Sequence, residues 1–102
     1  MGLIAATVNT QYLIAYKNEL EYKISLINQA KMGLSDSTSD LLNAGTDLDP
    51  NNPAVKQLEQ RRERLNLLEK KLDMQLQEYQ TKLSMVEKNL EKSKEMAQKA
   101  IG

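Results

Sequence analysis

The chain has 102 residues and a formal net charge of zero, and it contains no cysteine, histidine, tryptophan or phenylalanine. This composition excludes disulfides, thiolate and imidazole metal sites, and the commonest nucleophile–base pairs, so we expect no metal, no cofactor and no enzymatic activity. Only four glycines and two prolines occur among many straight-chain residues that favour helices, which predicts one small all-α domain over residues 1–102.

The first sixteen residues carry no charged side chain. A cleaved signal peptide needs basic residues followed by an unbroken apolar run, whereas Thr7, Asn9 and Thr10 interrupt this stretch. It is also shorter than the roughly 20 apolar residues of a membrane span, so we expect no membrane contact. We expect an extracellular or cell-surface location reached without a cleaved signal peptide; a cytoplasmic location is the alternative.

The first predicted helix covers residues 3–44. Apolar side chains recur along it every seven residues, which is typical of a coiled-coil seam: Leu13, Leu20, Ile27, Leu34 and Leu41. Gly33 and the Ser- and Asp-rich residues 35–40 favour caps and turns, and they predict a kink or short break near residues 33–38. Gly45 is expected to end the helix in the left-handed conformation.

A second apolar set lies beside this seam on the same helix. Its members are Ile4, Val8, Tyr12, Ala15, Tyr22 and Leu26. A helix that is apolar around much of its girth is buried on more than one side, and a two-helix hairpin covers only one. The second set therefore predicts a surface that packs against another subunit.

The predicted turn covers residues 45–53 and includes Pro50, Asn51, Asn52 and Pro53. Asn52 is a favourable N-cap, and proline is favourable as the first residue of a helix, where its missing N–H has no cost. A connection this short favours antiparallel neighbours. The sequence thus predicts a long antiparallel helical hairpin resembling a coiled coil.

The second predicted helix covers residues 54–101. Its apolar residues alternate in steps of three and four along Leu72, Leu76, Tyr79, Leu83, Val86 and Leu90, and the seam extends back through Leu68, Leu65 and Leu58. Met74, Met85 and Met96 are expected to fill gaps in the packing, as methionine often does.

Charge is divided unevenly between the two predicted helices. Residues 1–53 contain three lysines and six acids, and residues 54–102 contain eleven bases and eight acids, so the balances are −3 and +3. Opposite signs suit two segments that lie side by side. Nucleic acid is not expected as a partner because no net basic face with stacking aromatics is evident, and nothing indicates a small-molecule substrate.

Two segments resemble the needle subunits of bacterial type III secretion systems. They are the turn Pro50-Asn51-Asn52-Pro53-Ala54 and the later segment Glu78-Tyr79-Gln80-Thr81-Lys82-Leu83-Ser84. Residues 54–77 lie between Pro53 and Glu78, and the corresponding separation is shorter in that family. The resemblance implies a helical hairpin that polymerises into a hollow tube, export without a cleaved signal, and a turn exposed on one surface of the tube.

Two functional hypotheses follow from these patterns. The first is a structural protein that self-assembles through helix packing into a filament or tube, outside the cell or as part of a secretion apparatus, with copies of itself as partners. The second is a soluble dimeric coiled-coil adaptor or secretion chaperone. The two hypotheses differ in the number of subunits per particle. Head-to-tail contacts that do not close give filaments of unlimited length, whereas a closed dimer always contains two subunits.

Overall fold

A computed structural model describes residues 2–101 and has the predicted all-α architecture. Helix α1 spans Leu3–Thr46 and helix α2 spans Pro53–Ile101, and the described residues contain no strand. The two helices form an antiparallel hairpin of the coiled-coil type, which confirms the fold class. Helix α1 ends two residues later than predicted, and helix α2 begins one residue earlier.

Helix α1 runs without interruption through residues 33–38, so the predicted short break is absent. The Thr38 hydroxyl donates a hydrogen bond to the Leu34 carbonyl oxygen, at 2.9 Å. Ser35, Asp36 and Ser37 are exposed. Small polar side chains disfavour a helix when they bond to the backbone in competing conformations, and this competition is reduced when they point to solvent. A bend of the helix axis at this point remains a prediction.

The ends of the helices follow the predicted turn chemistry with one exception. The Asn52 side-chain oxygen accepts the Ala54 N–H at 3.0 Å, which is the N-cap bond expected ahead of Pro53. Gly45 was expected to be left-handed, and that is wrong: no described glycine has positive φ, and Gly45 lies within α1. Helix α1 continues past Gly45 to Thr46. A Cβ at Gly45 would stand 3.6 Å from Leu58 Cδ1, which is an ordinary contact distance.

The chain divides into two compact units, each built from one part of α1 and one part of α2. The first unit comprises Met1–Ser25 and Gln77–Gly102, and the second comprises Leu26–Leu76. The core of the first unit is formed by Leu13, Leu20, Val86 and Leu90, with Tyr16, Tyr79 and Leu83 packed against it. Burial of such a side chain contributes about 1.5–3 kcal/mol, so this cluster is the main source of stability in the first unit.

The second unit is packed less deeply. Ile27 is its only buried side chain among the residues that the structure describes, and the remaining predicted seam residues are half-buried: Leu34, Leu41, Leu65, Leu72 and Leu76. Leu68, which was also expected on the seam, is 47% exposed. Leu76, Leu83 and Leu90 occupy one seam position at intervals of seven residues. One and two repeats earlier, the same position is occupied by Glu69 and Arg62. Both charged side chains are exposed, so the seam of this unit is interrupted by polar residues.

Candidate functional site

The second apolar set of α1 forms a stripe of exposed side chains, which we call the α1 stripe. It consists of Ile4, Val8, Tyr12, Ala15, Tyr22 and Leu26, and all six are exposed. The exposed fractions of Ile4, Val8, Tyr12 and Tyr22 are 81%, 59%, 67% and 64%. Steps of four, four, three, seven and four residues keep these side chains on one face of a helix with 3.6 residues per turn. The hairpin therefore leaves a mainly apolar face on α1 uncovered, on which Glu19 lies between Ala15 and Tyr22.

One member of the α1 stripe is held in place by the core of the first unit. The rings of Tyr12 and Tyr16 are stacked, with centroids 6.4 Å apart and an angle of 5° between their planes. Tyr16 in turn packs against the buried cluster that contains Leu13 and Leu20. Offset stacking at this separation is favourable, and a ring that is already positioned loses less conformational freedom when a partner covers it. Tyr12 is thus a preorganised anchor on the exposed face.

A polar cluster around the buried Ser93 joins the two helices near the start of the α1 stripe. Ser93 is 1% exposed, and Asn9 Nδ2 donates to its Oγ at 3.1 Å. The Ser93 and Thr10 hydroxyl oxygens are 2.7 Å apart, and Thr10 donates to the Ala6 carbonyl oxygen at 2.8 Å. Ser93 Oγ also lies 3.3 Å from that carbonyl oxygen. A single chain of donors from Asn9 through Ser93 and Thr10 to Ala6 satisfies every hydroxyl in the cluster.

The polar cluster was not identified from the sequence, although a signal for it exists. Ser93 stands seven residues after Val86 and three after Leu90, so it continues the heptad seam with a hydroxyl in place of an apolar side chain. A buried polar residue on a seam favours the one register in which its partners face it. In this chain those partners are Asn9 and Thr10.

Two lysines flank the ring of Tyr79 in the first unit. Lys23 Nζ lies 5.6 Å and Lys82 Nζ 5.8 Å from the ring centroid, which is within cation–π range. Hydrogen bonding of Lys23 to the Glu19 carboxylate, with Nζ and Oε1 3.1 Å apart, raises the pKa of Lys23. A bond of 3.0 Å to the Glu78 carboxylate likewise raises the pKa of Lys82. Both ammonium groups stay charged at neutral pH and cover one aromatic ring.

The remaining predicted site residues are those of the seam and those of the turn. Of the fourteen predicted seam residues, Leu68 is exposed and five are buried: Leu13, Leu20, Ile27, Val86 and Leu90. The other eight are half-buried: Leu34, Leu41, Leu58, Leu65, Leu72, Leu76, Tyr79 and Leu83. Pro50, Asn51, Asn52 and Pro53 of the predicted turn are exposed. The Asp49 side chain accepts the Asn51 N–H at 3.0 Å and stabilises the bend.

The methionines of α2 do not fill the core, contrary to expectation. Met74, Met85 and Met96 are 70%, 60% and 47% exposed, and Leu67 is exposed as well. Spacings of seven and eleven residues place these four side chains on one helix face, away from the seam. Gap filling was expected from the flexibility of methionine, but the helical spacing of these residues already separates them from the seam.

The described residues contain no group of three or more His, Cys, Asp or Glu side chains that is arranged to hold a metal ion. The grooves between the helices are open and mainly apolar; one in the second unit is lined by Leu41, Leu42, Val55 and Leu58, with Glu59 and Arg62 at its rim. Within residues 2–101, neither helix has a segment both long and apolar enough to cross a membrane.

Comparison of the chain with protein-family models, with curated proteins and with solved structures found no match.

Proposed function

We propose that this protein is a structural subunit, not an enzyme, and that it self-assembles through helix packing into a filament or tube. The observation that carries the proposal is the α1 stripe, in which Ile4, Val8 and Tyr12 are largely exposed while the seam face of the same helix is covered by α2. Fully burying a side chain of this kind contributes about 1.5–3 kcal/mol, so association through the stripe is favourable.

The composition of the stripe supports a protein partner. Residues 3–16 contain no charged side chain, and the centres of protein interfaces are depleted of charge and enriched in tyrosine. Tyr12 and Tyr22 have the amphipathic character of interface anchors. Binding to a membrane surface would favour basic residues beside the apolar face, and Lys17 is the first base in the chain.

The resemblance to type III secretion needle subunits supports the polymeric form of this proposal. The resemblance implies a helical hairpin with its turn on one surface of the tube, and this chain folds as a helical hairpin. On this reading the protein acts outside the cytoplasm or in a secretion apparatus, after export without a cleaved signal. The alternative is a dimeric coiled-coil adaptor or secretion chaperone in the cytoplasm, which buries the same stripe in a closed particle.

The test is to replace Val8 with lysine and to follow assembly over a concentration series by negative-stain electron microscopy and light scattering. Val8→Lys should abolish large particles and leave helicity intact, because the side chain is 59% exposed in the hairpin and buried only in the assembly. Ser25→Lys is the matched control, since Ser25 is exposed on the same helix outside the stripe.

Each outcome bears on the proposal. Filaments of the native chain and of Ser25→Lys, with dispersed Val8→Lys, support a polymer built on the α1 stripe. Native particles of one small mass at every concentration point to the dimeric adaptor. Assemblies of Val8→Lys that equal those of the native chain contradict the role of the stripe.

A further inference from the structure

The spacing of the side chains in the α1 stripe around Ala15 indicates which surface covers the stripe. Ile4 and Leu26 each stand eleven residues from Ala15, and Val8 and Tyr22 each stand seven residues from it. The smallest side chain of the stripe is therefore at its centre, with two pairs of larger apolar side chains at equal distances on either side; Tyr12, three residues before Ala15, has Asn18 as its counterpart. A surface with this arrangement is complementary to its own antiparallel copy.

We propose that two copies of the chain pair α1 against α1, antiparallel, through the α1 stripe, with Ala15 on the two-fold axis. The inference rests on the proposed self-assembly and names the partner surface. In this register Ile4 of one copy meets Leu26 of the second, and Val8 meets Tyr22. Two Ala15 methyl groups meet at the crossing point, where small side chains allow packed helices to approach to about 8 Å between axes.

The charges near the stripe favour the antiparallel direction. Residues 3–26 carry four charged side chains: Lys17, Glu19, Glu21 and Lys23. In the antiparallel register Glu19 faces Gln11 of the second copy, and Glu21 faces Asn9, so no carboxylate meets another. In a parallel contact of the same stripe, Glu19 would face Glu19, and like charges held opposite one another are unfavourable. Charge and spacing thus select the same arrangement.

The other exposed apolar face is a poorer match for the α1 stripe. On α2, Leu67, Met74, Met85 and Met96 are separated by seven, eleven and eleven residues, so large apolar side chains occur only every second or third turn. Lys92 lies on that face between Met85 and Met96. This face remains available in the antiparallel pair, and a second self-contact there would extend pairs into a filament.

The absence of cysteine from the chain permits a direct test by single-cysteine cross-linking. Under mild oxidation, Ala15→Cys should form a covalent dimer with itself, because a two-fold axis brings the two positions together within disulfide range. Ile4→Cys alone should not, since a rise of 1.5 Å per residue over eleven residues on each copy separates the two positions by about 33 Å. A mixture of Ile4→Cys and Leu26→Cys should form the mixed disulfide.

A charge test gives a second readout that needs no disulfide. Gln11→Lys should tighten the pair, because the substituted side chain faces Glu19 of the second copy, and Gln11→Glu should weaken it. An exposed ion pair made twice across the axis changes the dissociation constant by about 2- to 30-fold. Analytical ultracentrifugation of the two variants beside the native chain measures the change.

The outcomes separate this inference from the proposed function. A native chain that stays monomeric at every concentration overturns both. A chain that associates while Ile4→Cys cross-links to itself, or while Ala15→Cys does not and Gln11→Lys and Gln11→Glu behave alike, overturns only the antiparallel pairing. Self-cross-linking of Ala15→Cys, together with opposite effects of the two Gln11 variants, establishes it. Circular dichroism confirms that each variant retains its helicity.

Discussion

The two compact units are built from the same two helices, yet they are stabilised differently. The first unit has a buried cluster that includes Leu20, which is 2% exposed, and the Ser93 polar cluster beside it. In the second unit the seam includes Arg62 and Glu69, and its leucines are half-buried. An ion pair between Lys31 and Asp73 joins the helices in this unit, but both side chains are partly exposed, so its contribution is small.

This difference shows that a heptad repeat does not give uniform packing. Leucines repeat every seven residues along α1 in both units, and burial is deep only where α2 presents apolar side chains at both seam positions. Local opening free energies follow the density of buried apolar contacts. We therefore expect the second unit to exchange its amide hydrogens faster than the first.

The largest expected effect comes from placing a charge in the core of the first unit. Leu20→Asp should destabilise the hairpin by about 4 kcal/mol or more, because an unpaired carboxylate would replace a fully buried leucine. Leu34→Asp is the matched change in the second unit, and it should cost roughly 1–3 kcal/mol because Leu34 is half-buried. Urea unfolding followed by circular dichroism measures both, and equal costs would show that the two units are packed alike.

A smaller effect is expected from the buried polar cluster. Ser93→Ala should cost about 0.5–1.5 kcal/mol, because the hydrogen bonds that Asn9 and Thr10 make to the other helix are lost. Thr38→Val is the control in the second unit, where the hydroxyl bonds only to its own helix, and it should change stability by about 0.5 kcal/mol or less. If Ser93→Ala is as mild as Thr38→Val in urea unfolding, the cluster does not stabilise the first unit.

The smallest effect concerns the lysines that flank Tyr79. The pKa values of Lys23 and Lys82 are raised in the folded chain, mainly by bonds to Glu19 and Glu78. Their contribution to stability is therefore complete below the usual lysine pKa and is lost as pH rises through the raised values. The double variant Lys23→Gln, Lys82→Gln should remove part of the alkaline loss seen in thermal unfolding. An identical alkaline profile in that variant would assign the loss to other groups.

The sequence was sufficient to predict the secondary structure because each signal is local. Helical composition, the repeat at Leu13, Leu20 and Ile27, and the cap formed by Asn52 ahead of Pro53 depend on residues near one another in the chain. Of the fourteen predicted seam residues, all except Leu68 lie buried or half-buried. The exposure of the α1 stripe also agrees with its predicted separation from the seam.

Tertiary structure alone decided how deeply each seam position is buried and which polar groups meet. Ser93 is enclosed because Asn9 and Thr10 of α1 face it, and no pattern within α2 specifies that pairing. Leu68 was read as a seam residue and is exposed, because nearby Leu65 and Leu72 already occupy the repeat. Helical periodicity is set by a residue's own backbone, whereas burial is set by the side chains that the opposing helix presents, and these lie far away in the sequence.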